Sequence, residues 1–428
     1  MFKRDKPLFS RPALAVIIVL STLAVWLLNL TSPRTELATP RIESWQTANG
    51  IPVYWLYQNA WQGSDKVELT IVLNGPSTDA ALTKKTLTLL TGPTLPLSTA
   101  TINQRLAPIA AQVSTYYSLP QQQINITFSN RPQFLKPALS LLDTWLNQTQ
   151  FKANAILRSE SRADNDLGQQ QLMLQLFGST ATVEPTPASL SIAQVSQHFA
   201  SLKQQVSHIM IAGALDDVAQ QQLAQGLQQI TQSMQPSSGP LAHILATQPA
   251  TSTLGAETLK AMYGAIGLHP LTSVEDWLAL QIWAKDSLGA QKQQLRSQTG
   301  QWQLHLAPPQ AFVTWQLQIP QAVLQNAATE TQSQTSWVAA NSLPSYQDNA
   351  AFSNLKQQLL TQLESLSQNP SWWRAIGSSV ALPNAPLSLE DFAKRYSDAA
   401  NSFTMEQYQQ RIDQLLIPSS RQEVLIKL

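Results

Sequence analysis

The chain has 428 residues, 43% of them apolar, with 27 Lys and Arg against 26 Asp and Glu, a formal net charge of +1 and no cysteine. A near-neutral balance without a clustered basic face argues against a nucleic-acid surface, and the missing cysteine excludes disulfides, thiolate metal sites and a cysteine nucleophile. The length suffices for two or three domains, and with only 12% charged residues many exposed positions fall to neutral polar side chains, as in Gln121-Gln122-Gln123 and Gln220-Gln221-Gln222.

Residues 13–30 form an uncharged apolar run close to the length that spans a bilayer. Lys3, Arg4, Lys6 and Arg11 precede it, so the positive-inside rule keeps residues 1–12 in the cytoplasm and exports the remainder. A cleaved signal peptide is the competing reading. Its apolar core would be shorter and followed by a small-x-small site, which Asn29-Leu30-Thr31-Ser32-Pro33 does not clearly show. The sequence thus reads as a single-pass inner-membrane protein whose bulk lies, in a Gram-negative cell, in the periplasm. Residues 31–40, polar and carrying Pro33 and Pro40, suit a short tether.

Ser44 to Tyr57 reads as two strands around Asn49-Gly50, a hairpin dipeptide, and Trp45, Tyr54, Trp55 and Tyr57 suit a half-buried sheet better than a carbohydrate-stacking site. Val67, Leu69, Ile71 and Leu73 alternate with Glu68, Thr70 and Val72, the period of a strand with one face in a core. Asn74-Gly75-Pro76-Ser77 supplies a turn, Asp79 a helix N-cap, and Leu82, Leu87, Leu89 and Leu90 a helical spacing that ends at Gly92-Pro93. Thr101 to Ala111 is expected to be helical, Val113 to Tyr117 and Gln123 to Phe128 to be paired strands, and Phe134 to Asn147 a helix opened by Arg131-Pro132.

Strand, turn and short helix, with Asn49-Gly50-Ile51-Pro52-Val53 before them and Ile102 to Leu106 after them, resemble the insulinase/pitrilysin family of zinc peptidases. In that family the helix carries an inverted zinc motif, H-x-x-E-H, whose imidazoles bind the metal while the carboxylate activates a water. Aligning Gly92-Pro93-Thr94 with the family's closing Gly-Thr places Lys84 and Thr88 at the His positions and Leu87 at the Glu position. A protonated ammonium cannot ligate, a threonine hydroxyl is a poor zinc ligand and leucine takes no proton. The resemblance implies a degenerate member that keeps the fold without the chemistry. The family's third ligand, a Glu on a later helix, matches Ser159 or Glu160 within Phe151 to Asp166; a solvated carboxylate beside Arg158 and Arg162 is the plainer reading of Glu160.

Further on, Pro185 to Leu202 resembles the family's segment leading into an edge strand, Ser207 to Gly213 has the pattern of a buried strand, and Leu215 to Met234 that of a glutamine-rich amphipathic helix. The loop-rich stretch from Pro236 to Ser252 reads as a linker. The second half repeats the first weakly, with helices at Ser273–Leu288, Phe352–Leu366, Leu389–Tyr396 and Met405–Leu416 and strands at Trp302–Leu306, Val313–Ile319 and Glu423–Leu428. The fold class is therefore α+β: two tandem insulinase-like lobes, residues 41–235 and 253–428, each a mostly antiparallel sheet with helices packed on it, joined by residues 236–252 and preceded by the transmembrane helix.

The five histidines, His198, His208, His243, His269 and His305, include no two spaced three to five apart, so no helix shows a two-histidine metal face. G-x-S-x-G, G-x-x-x-x-G-K and G-x-G-x-x-G are absent. Active family members hold substrate with an Arg and a nearby Tyr in the second half. Arg296 matches the Arg, and Gln303, beside Trp302, stands at the Tyr position; a surface arginine at a helix end is the plainer reading of Arg296. What the resemblance implies is a membrane-anchored, non-catalytic subunit or scaffold for an active zinc-bearing homologue, or a module gripping an extended polypeptide, with no cofactor of its own. The alternative is an active zinc metallopeptidase with non-standard ligands.

Overall fold

The alternation around Val67 builds the centre of a sheet. In the computed structural model, which describes residues 37–74, 80–92, 94, 111–118, 121–161, 167–178, 190–239, 244–255, 259–295, 300–318 and 348–427, Val67, Leu69 and Ile71 are at most 1% exposed. They lie on β3 (Lys66–Leu73) of a six-stranded sheet ordered β1-β2-β6-β3-β5-β4. Residues 13–30 and 101–110, Asp79, His243 and Arg296 lie outside the described residues. Among the described residues no helix is long and apolar enough to cross a membrane.

The strands β1 (Arg41–Gln46) and β2 (Pro52–Tyr57) pair antiparallel across the Asn49-Gly50 turn, with Gly50 at φ +82°, a left-handed conformation that glycine adopts without steric cost. Asn49 has a second role that spacing does not reveal. Its amide nitrogen donates to the carbonyls of Thr231 (2.9 Å), Gln232 (3.3 Å) and Met234 (3.1 Å), satisfying groups left over just past the end of a distant helix. β4 (Gln112–Tyr117) and β5 (Gln122–Ser129) pair as read. The expectation of an edge strand after Leu202 is corrected: β6 (Val206–Ala212) lies between β2, parallel to it, and β3, antiparallel to it. Ile209, Met210, Ile211 and Ala212 are all 0% exposed, so this run is apolar on consecutive residues because both faces are covered.

Helices α1 (Ala80–Leu90), α2 (Pro132–Asn147), α5 (Ile192–Lys203) and α6 (Asp217–Ile230) contribute to the core on one face of this sheet, with α3 (Ala153–Ser161) beside them. Ser191 and Gln194 form a reciprocal capping box that starts α5. Between α3 and α5 comes α4 (Leu167–Leu176), which packs elsewhere.

The second sheet holds β7 (Ala250–Leu254), β8 (Leu259–Leu268), β9 (Gly300–His305), β10 (Ala311–Gln318) and β11 (Leu416–Lys427), in the order β7-β11-β8-β10-β9. Its helices are α7 (Val274–Leu295), α8 (Asn349–Leu366), α9 (Pro370–Ser379), α10 (Leu389–Ser402) and α11 (Met405–Leu415). Matching β7, β11, β8, β10 and β9 to β2, β6, β3, β5 and β4 reproduces both the strand order and the direction of every pairing. The two halves are therefore one topology used twice.

Several elements lack a sequence signal. β8 carries Gly264 and Gly267, which weaken a strand pattern. A Cβ at Gly264 would fall 2.0 Å from the Trp315 ring, so the glycine is required by a neighbour on β10. β11 begins at Leu416 instead of Glu423, because an irregularity between Ile417 and Gln422 interrupts its alternation.

The halves exchange a helix. From the first half, α4 packs on β8 and β11, placing Leu172 and Leu176 among Tyr263, Ala265, Phe312 and Val424. From the second half, α9 packs on β3, β6 and β2, where Trp373 and Ile376 join the core containing Leu56, Met210 and Ala212. A polar seam fastens α9. Arg374 reaches Glu68, Thr70 and Asn125, while Gln58 and Trp61 donate to the carbonyls of Ser367 (3.0 Å) and Gln368 (2.7 Å) at its start.

Candidate functional site

On α1, burial follows the leucines. Leu87 is 1% exposed and Leu90 0%, both in the core of the first half, whereas Thr88 is exposed and Lys84 half-buried. The position that would carry the water-activating carboxylate therefore places an isobutyl group in the core. The Thr88 hydroxyl donates to the carbonyl of Lys84 at 2.8 Å, the local back-bond an exposed helical threonine makes. His198 of α5 meets α1 at Thr83 (Nε2 to Oγ1 2.8 Å), one residue before Lys84. Ser159 and Glu160 fall on α3. Among the described residues no three His, Asp or Glu side chains stand close enough together to hold a metal ion.

Two histidines are buried deep in the seam between the halves. On β6, His208 donates from Nε2 to the carbonyl of Gly377 on α9 at 3.2 Å, and its Nδ1 faces the Ser207 hydroxyl at 3.0 Å. On β9, His305 lies with Nδ1 3.0 Å from the hydroxyl of Tyr116 on β4 and Nε2 3.2 Å from Thr314 Oγ1, its ring stacked on Phe312 at 4.3 Å. One ring N–H and one lone pair serving two hydroxyls suit a neutral imidazole. Burial pushes both histidines down to about 4 and raises the Tyr116 phenol.

Because the unfolded chain binds these protons near the ordinary imidazole value of 6.5 and the folded one only near 4, stability rises with pH across that window and falls on acidification through it. Each histidine contributes roughly 3 kcal/mol to that loss by the acid end. Urea midpoints across the window are expected to fall steeply for the native protein and less steeply for His305→Gln. An equal slope in the two proteins would refute the assignment.

Of the two residues matched to substrate holding, Arg296 lies outside the described residues, and Gln303 and its neighbour Trp302 face opposite ways. Trp302 turns toward α7, stacking on Trp315 at 5.5 Å and meeting Trp283 edge-on at 5.0 Å. Gln303 is of the opposite parity and is exposed. It lines a cavity of about 470 Å³ with Gln169 of α4, Tyr263 of β8, Gln301 of β9 and Thr314 and Gln316 of β10. Register sets Gln303 opposite Thr314, Gln301 opposite Gln316, and Gln316 opposite Tyr263, so these polar groups form adjoining rows on one face. Gln316 donates its amide to the Tyr263 hydroxyl at 2.9 Å. Of this lining the sequence points to Gln303 and its neighbour Trp302; the rest come from three strands and two helices, one of them exchanged, which no local spacing announces.

Two repeated sheet-and-helix lobes with an exchanged helix, and a would-be metal helix without imidazole or carboxylate at the motif positions, define an insulinase-like architecture. Solved structures give the same fold. The chain is similar to a peptidase M16 inactive domain from Pseudomonas fluorescens, with 13% identity, a TM-score of 0.62, and coverage of 90% of this chain and 98% of that one. It is also similar to the periplasmic protease PqqL from Escherichia coli (12% identity, TM-score 0.59, 92% of this chain and 46% of that one), so it spans about half of that protease. A predicted insulinase family protease from Yersinia pestis matches at 15% identity and TM-score 0.54, covering 92% of this chain and 93% of that one. No family model and no curated protein sequence matches the chain.

Proposed function

We propose that the protein is a non-catalytic insulinase-like subunit of the cell envelope, anchored in the inner membrane by residues 13–30, that partners an active zinc peptidase homologue and contributes a polypeptide-holding surface. The observation that carries this reading is the burial of Leu87, 1% exposed, at the position where an active helix needs a carboxylate. Lys84 and Thr88 at the imidazole positions point the same way. Coverage of 98% of a chain described as a peptidase M16 inactive domain, against 46% of the PqqL protease, supports a role equivalent to one half of a larger assembly.

The test is reconstitution. The full-length chain alone is expected to release no product from an unstructured polypeptide and to contain no stoichiometric zinc after chelator-free purification. Mixed with an H-x-x-E-H homologue of the same cell, it is expected to co-elute and raise that homologue's peptidase rate. Hydrolysis by the chain alone, abolished by chelation, would establish the alternative of a zinc peptidase with non-standard ligands. A C-terminal reporter active only in the cytoplasm would refute the anchored topology.

A further inference from the structure

The described lining of the cavity between α4 and the second sheet is uncharged. None of the described residues lining it carries an ionised side chain, whereas Gln169, Gln301, Gln303 and Gln316 supply amides and Thr314 and Tyr263 supply hydroxyls. We propose that this cavity receives uncharged amide- or hydroxyl-bearing side chains, glutamine and asparagine foremost, of an extended polypeptide lying along β9. This rests on the polypeptide-holding role proposed above and names the sequence it selects.

Three observations converge. A charged side chain entering the cavity would lose water and meet no counter-ion among the described residues, while a side-chain amide finds donors and acceptors of its own kind. Part of the lining is already oriented. Gln316 is held by Tyr263 at 2.9 Å, so less side-chain entropy is lost on binding. The volume, about 470 Å³, lies within the range of small-ligand sites and admits side chains, not a folded domain.

The choice of polypeptide follows from the strand that carries the lining. Among the described residues β9 is the outermost strand of its sheet, and its exposed Gln301 and Gln303 alternate with the inward Trp302 and Leu304. A segment added to this edge would drop every second side chain toward the glutamine face. A saccharide would want an exposed aromatic platform. Trp302 and Trp315 also line the cavity, but their rings stack on each other at 5.5 Å with Trp283 edge-on to Trp302, and Tyr263 is 9% exposed, so the aromatic faces are largely engaged within the protein.

The full-length protein in detergent micelles can be titrated into fluorescein-labelled peptides of equal length and alternating β-forming pattern, one rich in Gln and Asn, one in Lys and one in Glu. Anisotropy is expected to give about tenfold or tighter binding of the amide-rich peptide, equivalent to about 1.4 kcal/mol, with little dependence on salt. Gln301→Glu is expected to weaken that peptide about tenfold and to strengthen the Lys-rich one, with circular dichroism confirming an unchanged fold. Gln303→Glu should act in the same direction. Equal affinity for all three peptides, indifference to both substitutions, or displacement of the amide-rich peptide by a chitin oligosaccharide would overturn the assignment while leaving polypeptide holding in place. Binding of no peptide at all would overturn polypeptide holding itself.

Discussion

Arg374→Ala is expected to cost about 3–5 kcal/mol of unfolding free energy, the penalty for stranding a buried carboxylate. The Arg374 guanidinium donates from Nε to Glu68 Oε2 at 2.7 Å and from Nη1 to Thr70 Oγ1 at 2.6 Å and Asn125 Oδ1 at 2.5 Å. The Ser371 hydroxyl, one turn earlier on α9, donates to the other oxygen of Glu68. Both charged side chains are largely buried, 18% and 17% exposed, so water cannot replace the lost partner cheaply. Thr70 in turn donates to Asn125 at 2.7 Å, which makes the cluster one connected network from α9 to β3 and β5. Removing both charges with Arg374→Met and Glu68→Met should restore much of the loss, since the destabilisation comes from an unpaired charge more than from a missing attraction. Urea midpoints at constant slope would measure both variants. A single-variant cost below about 1 kcal/mol would show that the pair behaves as an exposed one and that α9 is held by its apolar face alone.

Cleaving the chain at a protease site placed between Gly239 and Ile244 is expected to leave two fragments that stay together under native conditions, with neither able to refold alone. The reason is the exchanged helices. The first fragment would carry α4 with Leu172 and Leu176 exposed, both at most 1% exposed in the whole protein, and would lack the cover that α9 gives Met210 and Leu56. The second would expose Tyr263, Phe312 and Val424 where α4 had lain, and Trp373, 0% exposed, on a helix without its sheet. Burying such side chains is worth about 1.5–3 kcal/mol each, comparable in sum to the whole stability of a domain. Size-exclusion chromatography of the nicked protein, followed by denaturation, separation and refolding of each fragment, would test this. A cooperative unfolding transition in either isolated fragment would show that the lobes are autonomous.

The hairpin at Asn49-Gly50, β3, α1, the β4–β5 pair and α2 were legible from period and turn chemistry because each is organised around a face whose burial repeats every two or three to four residues. Where two faces are covered, as on β6, the alternation vanishes, and with it the information that places a strand at an edge or in the middle. β8 was illegible for a different reason. Its Gly264 and Gly267 answer to Trp315 and Leu245, and a residue chosen by a distant neighbour looks locally like a defect. α9 carries Gly377-Ser378-Ser379 at its end and two adjacent tryptophans near its start, a pattern that reads as no particular helix face until β3 and β6 are known to lie beneath it.

By itself the sequence determined most elements of the first half, the two-part α+β design and the chemistry missing at Lys84, Leu87 and Thr88, since each depends on residues adjacent along the chain. Only the tertiary structure decided that α4 and α9 change places, that Leu87 lies in the core, and that Tyr116 meets His305 across 189 positions beside a glutamine-lined cavity. Such contacts arise from register and packing between surfaces far apart in sequence. Their energies are shared by partners that no local window contains, so single-chain patterns record their effects without naming them.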